Sequence, residues 1–383
     1  MISDRRVPLG DSMVARGGSV LPSRFPDETF ELYSIAAHDR GGSEFILGSE
    51  IGSAKQVVAP DDILISKIVP HIRRARRVGK QLGHRQIASG EWIVLRHPEI
   101  YPDYLRHFLL SDSFHASFMN TVAGVGGSLM RARPEHVRKI QIPLPPMDEQ
   151  RRIAEILDQA DELRAKRRQV LAHLDALPQA VFQRLFKVES SSSWPRVKLG
   201  EISRIVRGAS PRPAGDPRYF GGDIPWLKIS DITATRGPVV QRIRETVTEE
   251  GRARSVLIPA ETLILTNSAT VGVAKIIGPS TCIHDGFLAF LDVSSSVMTR
   301  WLQAALESLR TQLVALAPEG TQKNLNGPIV KAVEISLPPL ALQAQFVSFL
   351  DAVSMSELSS TAAFAEAEAL FASLQFRAFK GEL

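Results

Sequence analysis

The chain has 383 residues, 44% hydrophobic and 23% charged, proportions of folded domains rather than of a disordered or fibrous polypeptide. A mean hydropathy of -0.02, with no apolar run near the ~18–20 residues of a bilayer span, excludes a transmembrane helix, and a lone cysteine, Cys282, excludes an internal disulfide or a cysteine-rich zinc site. A formal charge of +5 leans toward an anionic partner, and Met1-Ile2-Ser3-Asp4-Arg5-Arg6 lacks the apolar stretch of a secretory signal, so a soluble cytoplasmic protein is expected.

Up to Leu144 the pattern is one of short β-rich runs, among them Asp62-Ile63-Leu64-Ile65-Ser66 and Trp92-Ile93-Val94-Leu95. Gly and Pro clusters separate them, and a helical patch lies near Tyr104–Phe118. Pro60-Asp61-Asp62 reads as the turn into a strand rather than as a pair of metal-binding carboxylates. At Leu144-Pro145-Pro146 the texture changes. The residue before a proline disfavours helix, so the double proline closes a strand and a helix starts just beyond. Ile153, Leu157, Ala160, Val170, Leu174 and Leu177 then recur at three-to-four spacing, with Arg167 interrupting. Residues 148–177 as one helix would span about 45 Å at ~1.5 Å per residue. Pro178 is expected to kink or break that helix, and Glu189-Ser190-Ser191-Ser192-Ser193 reads as a linker. The same textures follow again: a strand at Thr262-Leu263-Ile264-Leu265-Thr266, a helical patch at Thr299–Ala315, and Leu337-Pro338-Pro339. A second stripe of Phe346, Leu350, Val353, Phe364, Phe371 and Leu374 comes last.

This recurrence is a sequence repeat. Ile142-Pro143-Leu144-Pro145-Pro146-Met147, with Gln150, Leu157 and Asp158, matches Ile335-Ser336-Leu337-Pro338-Pro339-Leu340, with Gln343, Leu350 and Asp351. Arg184, Phe186 and Lys187 fall on Arg377, Phe379 and Lys380 in the same register. Arg6-Val7-Pro8-Leu9-Gly10 parallels Arg196-Val197-Lys198-Leu199-Gly200, and Ser89-Gly90 parallels Asp285-Gly286. With a period near half the chain, this is one duplicated unit and not a solenoid. The expected boundaries are a domain over 1–146, helix and linker over 147–193, a domain over 194–339 and a helix over 340–383.

The order globular, helix, globular, helix resembles the specificity (S) subunit of type I restriction–modification systems. The resemblance covers essentially the whole chain. It is carried by Leu-Pro-Pro-Met-Asp-Glu-Gln-Arg-Arg-Ile-Ala-Glu-Ile-Leu-Asp at 144–158, by Phe379-Lys380-Gly381-Glu382-Leu383, and by Gly222-Asp223-Ile224-Pro225-Trp226 with Gly320-Thr321-Gln322-Lys323-Asn324. Two departures stand out. Ala341-Leu342-Gln343 lacks the acidic residue that usually precedes the glutamine, and Gly126-Gly127-Ser128-Leu129-Met130 replaces the fuller Gly-Thr-Gln-Lys-Asn. The resemblance implies an α+β fold of two similar target-recognition domains with short-stranded sheets, separated by two long helices in an antiparallel coiled coil with pseudo-two-fold duplication. It implies that each domain reads one half of a bipartite site in double-stranded DNA, with the helices setting the spacing. The implied partners are two methyltransferase (M) subunits and, for cleavage, motor/nuclease (R) subunits. S-adenosylmethionine, with ATP and Mg2+ for cleavage, would serve the assembled complex, and no cofactor is expected on this chain.

A search for catalytic motifs agrees. The chain has no Asn/Asp-Pro-Pro-Tyr/Phe methyltransferase motif, no phosphate-binding Gly-x-x-x-x-Gly-Lys-Ser/Thr loop and no zinc spacing among its histidines. Two other readings stay open: the specificity chain of a type II-like system whose partner both cuts and methylates, and an enzyme with an unrecognised site. Candidate DNA contacts are Arg73, Arg74, Arg76, Arg77, Lys80 and Arg85, crowded behind one strand and otherwise a solvated charge run. The matching segment of the second unit offers Asn267, Ser268 and Thr270, suited to base edges or to local turn bonds. Arg207, Ser210 and Arg212 form a flexible basic turn, and Thr321, Gln322, Lys323 and Asn324 a polar cationic loop.

Overall fold

The computed structural model describes residues 5–14, 18–123, 130–186, 194–317 and 324–383. The expected Ser-rich linker, the Gly126–Leu129 stretch, and Thr321, Gln322 and Lys323 lie outside the described residues. The chain divides into two units. Unit 1 comprises Met1–Arg168 with Ala362–Leu383, and unit 2 comprises Gln169–Thr361.

Each unit is built on sheets of short strands, because the apolar runs are only three to five residues long between Gly, Pro and Asp. In unit 1, Ile63–Ser66 is the central strand of an antiparallel three-stranded sheet between Ala75–Arg77 and Trp92–Leu95. A five-stranded sheet beside it runs in the order Ser19–Val20, Lys55–Val57, Arg85–Ala88, Thr29–Tyr33, Glu44–Leu47. Unit 2 has a five-stranded sheet in the order Arg204–Arg207, Phe287–Leu291, Thr262–Thr266, Ala274–Ile277, Val239–Val240. Its four-stranded sheet contains Phe220–Leu227, the strand that holds Gly222-Asp223-Ile224-Pro225-Trp226. The turns into the matching strands share a left-handed residue, Asp61 at φ 72° and Glu261 at φ 61°. Asp62 is held by Arg96 at 2.6 and 2.8 Å and by the Ala59 N–H at 2.8 Å, which makes it a turn residue.

The first and last strands of each domain pair with each other. Arg6–Pro8 runs antiparallel to Gln141–Pro143, and Arg196–Lys198 runs antiparallel to Glu334–Ser336. The segments that repeat most clearly in the sequence are therefore those that close each domain. Short helices α1 (Pro102–Leu109) and α3 (Thr299–Ser308) cover the sheets, and long helices α2 (Met147–Phe186) and α4 (Leu340–Lys380) follow the closing strands.

The repeated glutamines tie these pieces together. Gln150 is buried on the first turn of α2; its Oε1 accepts the Tyr101 N–H at 2.8 Å, and its Nε2 donates to the carbonyls of Glu99 and Pro145, both at 2.9 Å. Gln343 repeats all three bonds in unit 2, with the Met298 N–H at 2.8 Å and the carbonyls of Ser296 and Pro338 at 3.0 and 2.9 Å. One side chain thus satisfies three backbone groups at the junction of the proline turn, the long helix and the short one.

Within unit 1, α2 and α4 run antiparallel: Arg152 bonds the Leu383 carbonyl at 2.7 Å, and Arg164 pairs with Glu368 at 2.9 and 3.0 Å. The seam is apolar only near the domain. Ile153, Leu157 and Ala160 are buried, whereas Arg164 sits 4.1 Å over the Phe371 ring. In unit 2, Phe182 and Phe186 of α2 meet Phe346 of α4 at 5.4 and 5.3 Å between centroids, under Trp301. Those contacts explain a departure from expectation. Helix α2 is not broken at Pro178 but continues to Phe186, because burial of Phe182 and Phe186 offsets the one hydrogen bond a proline removes.

Replacing Gln150 or Gln343 by leucine keeps the bulk but orphans one buried N–H and two carbonyls. Each variant is expected to lose about 2–4 kcal/mol in urea unfolding, and a loss below ~0.5 kcal/mol would show that the glutamines do not hold the junction.

Candidate nucleic-acid interface

Strand register decides which candidate residues share a place. In unit 2, Arg207 pairs with Leu288 and Thr266 with Phe287, so the two strands flanking Phe287–Leu291 finish where that strand begins. That end of the sheet therefore carries three connections: the loop after Arg207, the loop after Thr266, and the His284-Asp285-Gly286 turn. Arg207 Nε donates to the Asp285 carbonyl at 2.9 Å, and the Ser210 hydroxyl donates to the Asp285 carboxylate. The Ser210 bond, with His284 and Arg207 close by, holds the Asp285 carboxyl below its usual range. A Cβ at Gly208 would collide with the His284 carbonyl, so the chain between Arg207 and Ser210 needs glycine. The Leu325 N–H donates to the Asn267 carbonyl at 2.8 Å, which brings exposed Asn324 to the same end. Burial holds the His284 imidazole below its ordinary pKa, and its Nδ1 accepts the Gly286 N–H at 2.9 Å.

Unit 1 repeats this construction. The Lys67 N–H donates to the Glu91 carbonyl at 3.0 Å, and the Lys67 carbonyl accepts from Ala132 at 2.8 Å; Asn267 makes the same two bonds, to Gly286 and Leu325. The equivalent end therefore presents Lys67, Glu91 and Arg131, the last 60% exposed and 3.6 Å from Glu91. Lys67 Nζ is bonded to the Gly90 carbonyl. Sequence reading missed Lys67, Arg131, His284 and Asp285.

The arginine run is arranged differently from the expected phosphate grip. It is strung along Ala75–Arg77, where Arg77 pairs with Ile63 at the far end of the sheet. Most of these arginines are already paired with carboxylates. Arg74, only 9% exposed, makes a bidentate pair with Asp39 at 2.7 and 2.8 Å, and Arg77 is bonded to Asp61 and Asp103. Arg73 reaches Asp112 at 2.6 Å, Arg85 reaches Glu28 at 3.0 Å, and Arg76 lies 5.5 Å over the Tyr33 ring. Lys80 is exposed, and its side chain makes no ion pair or hydrogen bond among the described residues. Asn267 is a second correction. It is fully buried with both amide atoms unpartnered, so it does not present a base-reading edge. Ser268 and Thr270 are part-exposed, and Arg212 is exposed.

The family described as "Type I restriction modification DNA specificity domain" matches residues 81–173 and 191–362. The chain belongs to the type I restriction–modification specificity subunits. It is 24% identical over 368 residues to the StySPI specificity subunit of Salmonella potsdam, covering 86% of this chain and 76% of that one. Against the EcoKI specificity subunit of Escherichia coli (strain K12) the identity is 22% over 359 residues, with the same two coverages. Among solved structures, a chain from work on complex assembly and conformational transition of the type I R-M system superposes with a TM-score of 0.68 at 22% identity over 100% of both chains. The S subunit from M. genitalium gives 0.55 at 13% identity, covering 99% and 96%. The specificity-subunit fold of mixed helices and small sheets, with two long helices and two domains, is thus shared. Among the described residues no helix is long and apolar enough to cross a membrane, and no His/Cys/Asp/Glu group is placed to hold a metal ion.

In this specificity subunit Arg74 therefore holds the domain together. Arg74→Ala is expected to lower unfolding stability by about 1–3 kcal/mol while leaving the salt dependence of DNA binding unchanged. A flatter salt slope without loss of stability would restore Arg74 as a phosphate contact. Burial also depresses the pKa of His38, His107, His115 and His284. The unfolded chain then binds more protons once the pH falls below ~6.5, so stability drops from there downward. His107→Gln should weaken that dependence in unfolding measured at pH 7 and pH 5.5; an unaltered profile would exclude His107 as a contributor.

Proposed function

We propose that each unit reads one half of a bipartite sequence in double-stranded DNA, using the sheet end where its loops meet. The convergence of Arg207, Ser210, Arg212, Ser268, Thr270 and Asn324 on one end of the unit 2 sheet carries this reading. Thr321, Gln322 and Lys323, adjoining Asn324 in sequence, are further proposed DNA contacts. In unit 1, Lys67 and Arg131 occupy the equivalent end, with Lys80 and the part-exposed Arg73, Arg76 and Arg85 as outlying phosphate contacts. The two ends differ in chemistry, since unit 2 adds the hydroxyls of Ser210, Ser268 and Thr270 and the Asn324 amide to its arginines, as two different half-sites require, because base edges specify while phosphates position.

Family membership supports the remaining assignments of this reading. The chain acts without catalytic chemistry of its own, in the cytoplasm, and binds no cofactor. Methyltransferase (M) subunits, two per complex, supply S-adenosylmethionine chemistry on flipped-out adenine, and motor/nuclease (R) subunits join with ATP and Mg2+ for cleavage. Helices α2 and α4 set the spacing between half-sites and dock the methyltransferases.

Three experiments test this. The purified chain alone should neither methylate nor cut DNA, and adenine methylation at one bipartite sequence should appear with a co-purified methyltransferase; robust turnover by the isolated chain would sink the reading. Arg131→Ala should lower the log–log salt slope of binding by roughly 0.9, the signature of one lost phosphate contact. Four residues inserted in each long helix, between Leu163 and Val170 and between Val353 and Phe364, add about 6 Å of helix. Sequencing of methylated DNA should then show unchanged half-sites separated by about one or two more base pairs, and an unchanged gap at full activity would show that the helices do not set it.

A further inference from the structure

A pocket of about 360 Å³ opens in unit 2 beside the sheet end just described, lined by Ser210, Arg212, Phe220, Trp226, Lys228 and His284 among others. Its volume falls at the low end of the ~300–1,000 Å³ typical of small-ligand sites. The wall combines rings with donors. Phe220 and Trp226 meet edge to face with centroids 6.0 Å apart, and Trp226 lies at the same distance from the His284 ring. The acceptors nearby are already engaged: Asp285 holds the Ser210 hydroxyl, and Glu245 lies 3.5 Å from Lys228. Those two contacts also occupy the Ser210 hydroxyl and the Lys228 ammonium, but Arg212 makes no side-chain bond among the described residues, and the buried Trp226 indole N–H finds no acceptor. Because His284 Nδ1 accepts the Gly286 N–H, the proton of the neutral ring sits on Nε2, which makes it a donor as well.

A planar ring with acceptors along one edge complements such a wall. Of the parts of DNA, guanine fits best, since its N7 and O6 match a guanidinium fork and its face can lie on an aromatic ring. A phosphate would use the cations but leave the Phe220 and Trp226 side of the pocket unmatched. We propose that the pocket holds a guanine swung out of the base stack of the half-site that unit 2 reads, resting on Phe220 with its acceptor edge toward Arg212. This rests on the DNA-reading assignment above and adds to it a base read outside the duplex.

Removing the base opposite an extruded one abolishes the cost of unpairing, so binding tightens. The full chain is titrated with duplexes of its recognition sequence in which the base opposite each guanine, one at a time, is replaced by an abasic residue. At one guanine the affinity should rise about tenfold, and Phe220→Ala and Arg212→Met should each remove most of that gain. A rise at no position, or one that survives both variants, overturns the proposal while sequence-preferring binding keeps the DNA-reading assignment in place. Loss of all sequence preference by the unsubstituted chain would sink both. Guanosine monophosphate binding as tightly as the duplex would overturn the proposal in favour of a free-nucleotide site, and inorganic phosphate competing as well as the mononucleotide would reduce the pocket to an anion site.

Discussion

The junction between sheet and long helix depends on one kind of interaction, a buried carboxamide that satisfies three backbone groups at once. Leu-Pro-Pro ends a strand abruptly and leaves carbonyls without helical partners, because proline cannot donate and the preceding residue avoids the helical region. Gln150 and Gln343 supply both a donor and an acceptor at that break, one turn into α2 and α4. A carboxylate could accept but not donate there, and an aliphatic side chain could do neither. The same glutamines receive the N–H at the start of α1 and α3, so the orientation of the short helices and of the long ones is fixed by a single group in each unit. The apolar contacts around it, Ile153 and Leu157 in one unit and Phe346 and Leu350 in the other, fill the space that this polar geometry defines.

Much of the architecture was legible for that reason. The motif that repeats, Leu-Pro-Pro followed by Gln, Leu and Asp, is the closing strand, the clamp and the first buried turns of the helix, all constrained by backbone geometry. The opening Arg-Val-x-Leu-Gly repeats because it pairs with that strand. What the sequence hid was governed by tertiary context. Pro178 reads as a kink or break in the helix, but the aromatic cluster downstream holds the last turns in place. The stripe on α2 reads as uniform, yet Val170 and Leu177 stay about two-fifths exposed while Ile153 and Leu157 are sealed, because the two ends of the helix meet a core and its middle does not.

The functional surface was harder to read. Arginines crowded in sequence suggested a single grip on phosphate, but a β-strand sends alternate residues to opposite faces, and each carboxylate that meets them, Asp39, Asp61, Asp103 and Asp112, lies far away in the chain. Sequence density showed charge but not whether the charge was already matched. Asn267 illustrates the opposite error: its residue type suits a base edge, while its backbone position, bridging Gly286 and Leu325, places the side chain inside. Lys67 was overlooked because its neighbours Ile68, Val69 and Pro70 are apolar. Only the shared hydrogen-bonding pattern gives it the place in unit 1 that Asn267 has in unit 2.

The division of the chain into units also bears on how it is made. Unit 1 includes Ala362–Leu383, and the contact between Arg152 and Leu383 joins residues 231 apart. At about 5–20 residues per second of synthesis, the first domain and its half of α2 wait for tens of seconds before the segment that completes them emerges from the ribosome. During that interval the surfaces of α1 and α2 that later meet Phe371, Ala378 and Phe379 are uncovered, while all of unit 2 is being translated. The unit begun first is thus the one finished last, and its nascent apolar surface is where a folding helper would have the longest time to bind.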